Sequence, residues 1–170
     1  MANWGGIGLS FKVWEGNHTN LFPMSVSTNF GGTLEFITSG ETFRHFQVMS
    51  NELCTPKILV CPADACKAAK DFGSNLSNTN ISYFVGLDAD DSRPEMLLSG
   101  DRNIVGGIKL SDGILEITTN QPIAWSSEIH DGSGNLGLAD GSVVQLGRGH
   151  HLDWPEWEVK MLATNRLAIP

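Results

Sequence analysis

Long apolar runs are missing from this 170-residue chain. None approaches the roughly 18 consecutive apolar residues that a bilayer-spanning helix requires. The opening MANWGGIGLSFK has neither the basic start nor the apolar stretch of a signal peptide. As it stands the chain reads as soluble, which leaves open an export or anchor segment upstream. Basic residues are scarce as well: 11 Lys and Arg face 19 Asp and Glu, giving a formal charge of -8. Such a surface repels phosphate, which argues against nucleic acid and anionic membrane surfaces as partners. No phosphate-binding GxxxxGK[ST] or GxGxxG loop and no GxSxG nucleophile elbow is present. Cysteine is limited to Cys54, Cys61 and Cys66. An odd count allows at most one internal bridge, and these spacings, without paired histidines, fit a zinc site poorly.

What is present suffices for a core. Hydrophobic residues make up 41% and charged residues 18%, an ordinary globular balance. One domain over residues 1–170 is expected, and a chain of this length buries about 70% of its unfolded surface without a metal or disulfide framework.

Trp4, Ile7, Phe11 and Trp14 recur at helical intervals, while Ile7, Leu9, Phe11 and Val13 also alternate as a half-buried strand would. Gly5, Gly6 and Gly8 each weaken a helix by about 1 kcal/mol. Periodicity leans to a helix, stopped within WEGNHTNLFP by Gly16 and Asn17. Thr38 to Glu41, TSGE, has capping-box spacing and predicts a helix whose apolar face carries Phe43, Phe46, Met49 or Ser50, and Leu53. Pro56 forbids its continuation. KILVC, residues 57–61, reads as a buried strand, and ADACKAAKDF as a short helix ending at Gly73. The later chain has the texture of strands and turns: ISYFVGLDA, MLLSGD, NIVGGIKL, GILEITT, IAWSSEIH, NLGLA and SVVQL. Turns fall at Ser111 to Gly113, at DGSG and at Asp140-Gly141, so an antiparallel meander is expected. At the C-terminus, Asp153 as N-cap, Pro155 and Glu156 predict a helix with Trp154, Trp157 and Met161 on one face. Helices first and an antiparallel sheet later point to an α+β domain.

Several constellations could carry chemistry. His130 and Asp140 invite a carboxylate-oriented general base. If DGSG is a hairpin loop, however, His130 faces Asn135 and Asp140 lies opposite Trp125, about 17 Å away. Turn punctuation is then the simpler role for Asp140-Gly141. His150, His151 and Asp153 could offer ligands to a transition metal, but adjacent histidines point in different directions. Asp88, Asp90 and Asp91 put three carboxylates into four residues, a turn that could fold around calcium. The glycine and glutamate of an EF-hand loop are missing from it. NHT, NLS and NIS fit the glycosylation sequon, which matters only in a secretory pathway that uses it.

HDGSGNLGLADGSV, residues 130–143, places His130 nine positions before the Asp140-Gly141 pair. This resembles the H-x9-DG signature of prepilin-type proteins in the type IV pilin and type II pseudopilin group. IGLSFKVWEGNHTNLFP, GGTLEF, FRHFQVMSNEL, LVCP, SYFVGLDAD and TNRLAIP are similar to the bodies of such proteins, so the resemblance covers nearly the whole chain. It implies a pilin-like α+β fold, an N-terminal helix packed on an antiparallel sheet, with an apolar membrane half of that helix absent here. The helix would then claim Trp4 to Trp14. The implied role is structural rather than catalytic: a subunit of a pilus-like or type II secretion pseudopilus assembly in the bacterial envelope. Its partners would be other pilin-like subunits and assembly proteins, with the inner membrane reached through the missing helix. No cofactor is implied, apart from calcium if the Asp88 turn binds it. The alternative is an extracytoplasmic calcium- or carbohydrate-binding module.

Overall fold

A computed structural model of the chain describes residues 2–111, 113–118, 123–147 and 164–170. The first helix, α1, spans Ala2–Gly16. Helix beats strand here because only the helical stripe finds a core. Ile7, Phe11 and Trp14 are 0 to 2% exposed, whereas Leu9 and Val13, the strand alternates, are 63% and 46% exposed. Of Trp4, only the backbone belongs to the described structure. Two glycines let the helix sit close to its supports. A Cβ on Gly6 would stand 2.6 Å from Ile58 Cδ1, and one on Gly8 would stand 3.3 Å from the Gly141 carbonyl oxygen. The last turn is closed by His18, stacked on Trp14 at 3.6 Å between ring centroids, with its Nδ1 2.8 Å from the Trp14 carbonyl. Thr19 and Asn20, both left-handed, then turn the chain away. No helix among the described residues is long and apolar enough to cross a membrane.

The second helical region buries the expected face, since Phe46, Met49 and Leu53 are all within 2% of complete burial. It comes in two pieces, α2 (Thr42–Gln47) and α3 (Ser50–Leu53). The TSGE capping box does not form. Instead Asn78 reaches in from a distant segment, its Oδ1 accepting from the Phe43 amide at 3.1 Å and its Nδ2 donating to the Gly40 carbonyl at 2.7 Å.

Two predicted elements are corrected. KILVC is not a strand: Pro56–Leu59 forms a 3₁₀ turn, with Pro56 setting the first φ and the Thr55 hydroxyl accepting from Lys57 N. Residues 63–72 form turns and bends rather than a helix. Ten residues of good propensity hold a helix only with help from packing, and here only Ala69 is buried among the apolar ones. Long-range bonds take the backbone and side chains elsewhere, including Asn80 Nδ2 to the Lys67 carbonyl.

The strands are β1 (Tyr83–Gly86), β2 (Leu97–Asp101), β3 (Ile104–Gly106), β4 (Ile108–Ser111), β5 (Ile114–Thr118), β6 (Ile123–Trp125), β7 (Gly134–Leu138), β8 (Val143–Leu146) and β9 (Thr164–Ala168). Seven form one antiparallel sheet in the order β4-β5-β9-β1-β2-β7-β8. The expected meander is therefore only local. Its hairpins β1-β2, β4-β5 and β7-β8 are present, but β6 leaves the sheet to pair with β3, so DGSG is not a hairpin loop. The C-terminal strand β9 inserts between β5 and β1, although its residues follow a stretch that reads as helix. The predicted helix start, with Asp153, Trp154, Pro155, Glu156, Trp157 and Met161, lies outside the described residues.

The large sheet has a core on each face, as the complete burial of its strands β1, β2 and β7 requires. On one side Tyr83, Val85, Leu98 and Ala168 pack with Ile7, Phe11, Trp14 and the α2–α3 face. On the other, Phe84, Leu97, Leu136 and Leu167 meet Ile104, Ile123 and Trp125 of the β3-β6 ribbon. The fold is thus α+β, a terminal helix laid on a large antiparallel sheet with short helices beside it.

Candidate functional site

Three side chains of different chemistry converge where β2 ends. Asp101 is the last residue of β2, opposite Tyr83 in the β1-β2 register, and is completely buried. Cys61 follows the 56–59 turn, fixed by its amide donating to Ser82 Oγ at 3.0 Å, and its thiol is buried. His130 lies in the loop between β6 and β7 with a φ of 54°, followed by Asp131 at 52°. Its Nε2 stands 3.1 Å from Cys61 Sγ and 3.7 Å from Asp101 Oδ2. One ligand atom from each residue lies within 4.8 Å of the other two, and among the described residues this is the one such trio of His, Cys, Asp or Glu.

A supporting shell holds the trio. Asp101 Oδ2 accepts from both the Asn135 amide and its Nδ2 at 2.8 Å, while Oδ1 is buried without a hydrogen-bond partner. The loop bearing His130 is pinned by Asn103, whose Nδ2 donates to the carbonyls of Ser126 (2.8 Å) and Ile129 (2.9 Å). Arg102 grips Asp64 through Nε at 2.8 Å and Nη2 at 2.9 Å, and reaches Glu128 through Nη2 at 2.6 Å. It thereby ties the segment after Cys61 to the segment before His130. Burial works against the Asp64 carboxylate, yet the Arg102 bonds override it and hold the group well below the usual carboxylate range. Asp101 goes the other way: burial raises it, and the two bonds from Asn135 only partly pull it back. Burial likewise pushes the Cys61 thiol up.

This arrangement differs from a Cys-His-Asp nucleophilic triad. In a triad the imidazole uses one nitrogen for the nucleophile and the other for the carboxylate. Here the same Nε2 faces both sulfur and carboxylate. A thiol raised above its normal range is also a poor nucleophile at neutral pH. What the geometry offers is a shared point, with sulfur, nitrogen and oxygen donors arranged around it.

The sequence-marked residues fall into separate places. His130 and Asp140 are not brought together, because β7 runs between them. Asp140 Oδ1 accepts from Ser142 N at 2.8 Å in the β7-β8 turn, and Gly141 takes the left-handed φ of 85° that the turn needs. Trp125 does not lie opposite Asp140 as the hairpin reading supposed; it pairs with Ile104. Instead, the Asp140-Gly141 turn abuts α1 at Gly8, and His130 meets Asp101 and Cys61.

Asp88, Asp90 and Asp91 face different partners. Asp88 accepts from the Arg166 amide at 2.7 Å and from its guanidinium at 2.5 Å, Asp90 Oδ1 caps Ser92 N at 2.9 Å, and Asp91 pairs with Lys12. The Asp91 carboxyl is held low chiefly by its bond from Lys12. His150, His151 and Asp153 lie outside the described residues.

Sequence reasoning missed the pairing of Cys61 with His130, 69 positions apart. No short spacing could have signalled it, because the fold of the sheet makes the meeting. No protein-family model, curated protein or solved structure matches the chain.

Proposed function

We propose that the chain is the globular part of a structural subunit in a type IV pilus-like or type II secretion pseudopilus assembly, with a pilin-like fold and no catalytic role. The observation that carries this reading is the seating of α1. Its apolar stripe is spent inside the chain on the sheet, and Gly8 rests against the very Asp140-Gly141 turn that closes the His130-to-Gly141 segment. The resemblance to H-x9-DG proteins and the helix-on-sheet architecture thus meet at one contact. Once the inner stripe is buried, the helix still presents Leu9 and Val13 outward. Exposed aliphatic side chains on a helix ridge suit packing against the same ridge of another copy. Partners in this reading are copies of the chain and related subunits, in the bacterial envelope.

The test places single cysteines at Leu9 and Val13 in the full gene product, in its own cells, with Cys54→Ser to remove the exposed native thiol. A thiol-reactive crosslinker is expected to yield ladders of the chain from the envelope fraction. A product found only as monomer and only in the cytosolic fraction would reject the assembly role.

A further inference from the structure

We propose that Cys61, Asp101 and His130 form a mononuclear site for a borderline-soft divalent transition ion of the zinc type. The three supply thiolate sulfur, carboxylate oxygen and imidazole Nε2, and solvent completes the fourth position on the side where the His130 side chain is 31% exposed. With bond lengths of about 2.3 Å to sulfur and about 2.0–2.2 Å to nitrogen and oxygen, a tetrahedral site sets its ligand atoms roughly 3.4–3.6 Å apart. The observed 3.1 Å between sulfur and nitrogen and 3.7 Å between nitrogen and oxygen bracket that value. The third pair, sulfur and carboxylate oxygen, lies within 4.8 Å, so side-chain adjustment of Cys61 and Asp101 together with the His130 loop would draw the three donors around one centre.

Charge and ligand type select the ion. Asp101 is a fully buried carboxyl whose ion-pair partner among the described residues is the His130 ring, and its Oδ1 is unsatisfied. A dication balances one carboxylate and one thiolate, and offsets the cost of a buried carboxylate whose Oδ1 lacks a hydrogen bond. Sulfur and imidazole together disfavour calcium and magnesium, which take oxygen ligands. The ligands are already held from behind as metal ligands need, with Asn135 fixing the carboxylate and Ser82 fixing the Cys61 backbone. Bound metal would staple three segments distant in sequence: the turn after residue 59, the end of β2 and the loop before β7. The site is independent of the filament reading, because the isolated chain can bind the ion whether or not copies assemble.

The experiment strips the purified chain with a chelator and titrates it with cobalt(II) alone, followed by zinc(II). One equivalent of cobalt should produce a thiolate-to-metal charge-transfer band, which zinc should bleach, and zinc should raise the melting temperature. Cys61→Ser should abolish the band, and His130→Gln should weaken cobalt binding at least tenfold. Cys54→Ser and Cys66→Ser should leave both unchanged. If Cys61→Ser fails to fold, His130→Gln decides, since that side chain is partly exposed. Absence of a thiolate band, survival of the band in Cys61→Ser, unchanged binding in His130→Gln, or loss of the band in Cys66→Ser would each overturn the proposal.

Discussion

At the scale of single residues, His45 on α2 is the most exacting position in the helix-side core. Its side chain is fully buried, with Nδ1 2.8 Å from the Thr33 hydroxyl and Nε2 unpaired. Burial alone lowers its pKa from 6.5 to about 4, because the imidazolium would have no water and no carboxylate beside it. Below about pH 6.5 the unfolded chain takes up a proton that the folded chain refuses, so stability falls as pH drops and the loss levels off below the folded pKa. The size is roughly 3 kcal/mol by linkage. Urea midpoints measured between pH 7 and pH 4 should therefore fall more steeply for the native chain than for His45→Gln, and parallel curves would refute the assignment. Histidine 45 was legible in sequence only as a polar residue among Phe43, Phe46 and Met49. The Cys61-Asp101-His130 trio was less legible still. His130 stood out through the spacing to Asp140, but the residue it meets is Asp101, and no pattern in MLLSGD marks that aspartate as more than a strand end.

At the scale of elements, α1 shows how packing settles what propensity leaves ambiguous. Three glycines argue against a helix, and two of them are explained by close neighbours, Ile58 for Gly6 and the Gly141 carbonyl for Gly8. Gly5 has nothing within 4 Å. Gly5→Ala should then add about 0.5–1 kcal/mol through helix propensity alone. Gly8→Ala should fall short of that gain, since its methyl must push against backbone that cannot rotate aside. Equal gains in denaturant midpoints would mean that the helix does not rest on the β7-β8 turn. The elements read correctly from sequence carry their own signals: α1 and the Phe46-Met49-Leu53 face supply periodic burial, β1 and β2 open on apolar residues and are buried along their whole length, and the exposed β4 is tied to β5 by the turn at the left-handed Gly113. Those misread have separate causes. KILVC is bent by Pro56 into a 3₁₀ turn, the alanine-rich 63–72 segment lacks a face to bury, and the start of α2 borrows its cap from Asn78.

At the scale of the whole molecule, the seven-stranded sheet is closed by the chain's last strand. β9 pairs along its whole length with β5, from Thr118↔Thr164 to Ile114↔Ala168, and on its other edge Leu167 and Ala168 pair with Gly86 and Val85 of β1. Its side chains divide between the two cores: Leu167 is 0% exposed on the ribbon side, and Ala168 is 1% exposed on the helix side. Without β9 the sheet would separate into β4-β5 and β1-β2-β7-β8, each with a bare inner edge, and both cores would open to water. Removing one large buried side chain costs about 2–5 kcal/mol, and a domain's entire stability is only about 5–15 kcal/mol. Loss of two ladders and two core contributions together should exceed that margin. Leu167→Ala should thus melt cooperatively at a lowered midpoint, whereas deletion of residues 164–170 should abolish the cooperative transition seen by circular dichroism. A truncated chain that still melts cooperatively near the native temperature would show that β1 and β5 do not need the strand between them, and the two-sided core would have to be redrawn.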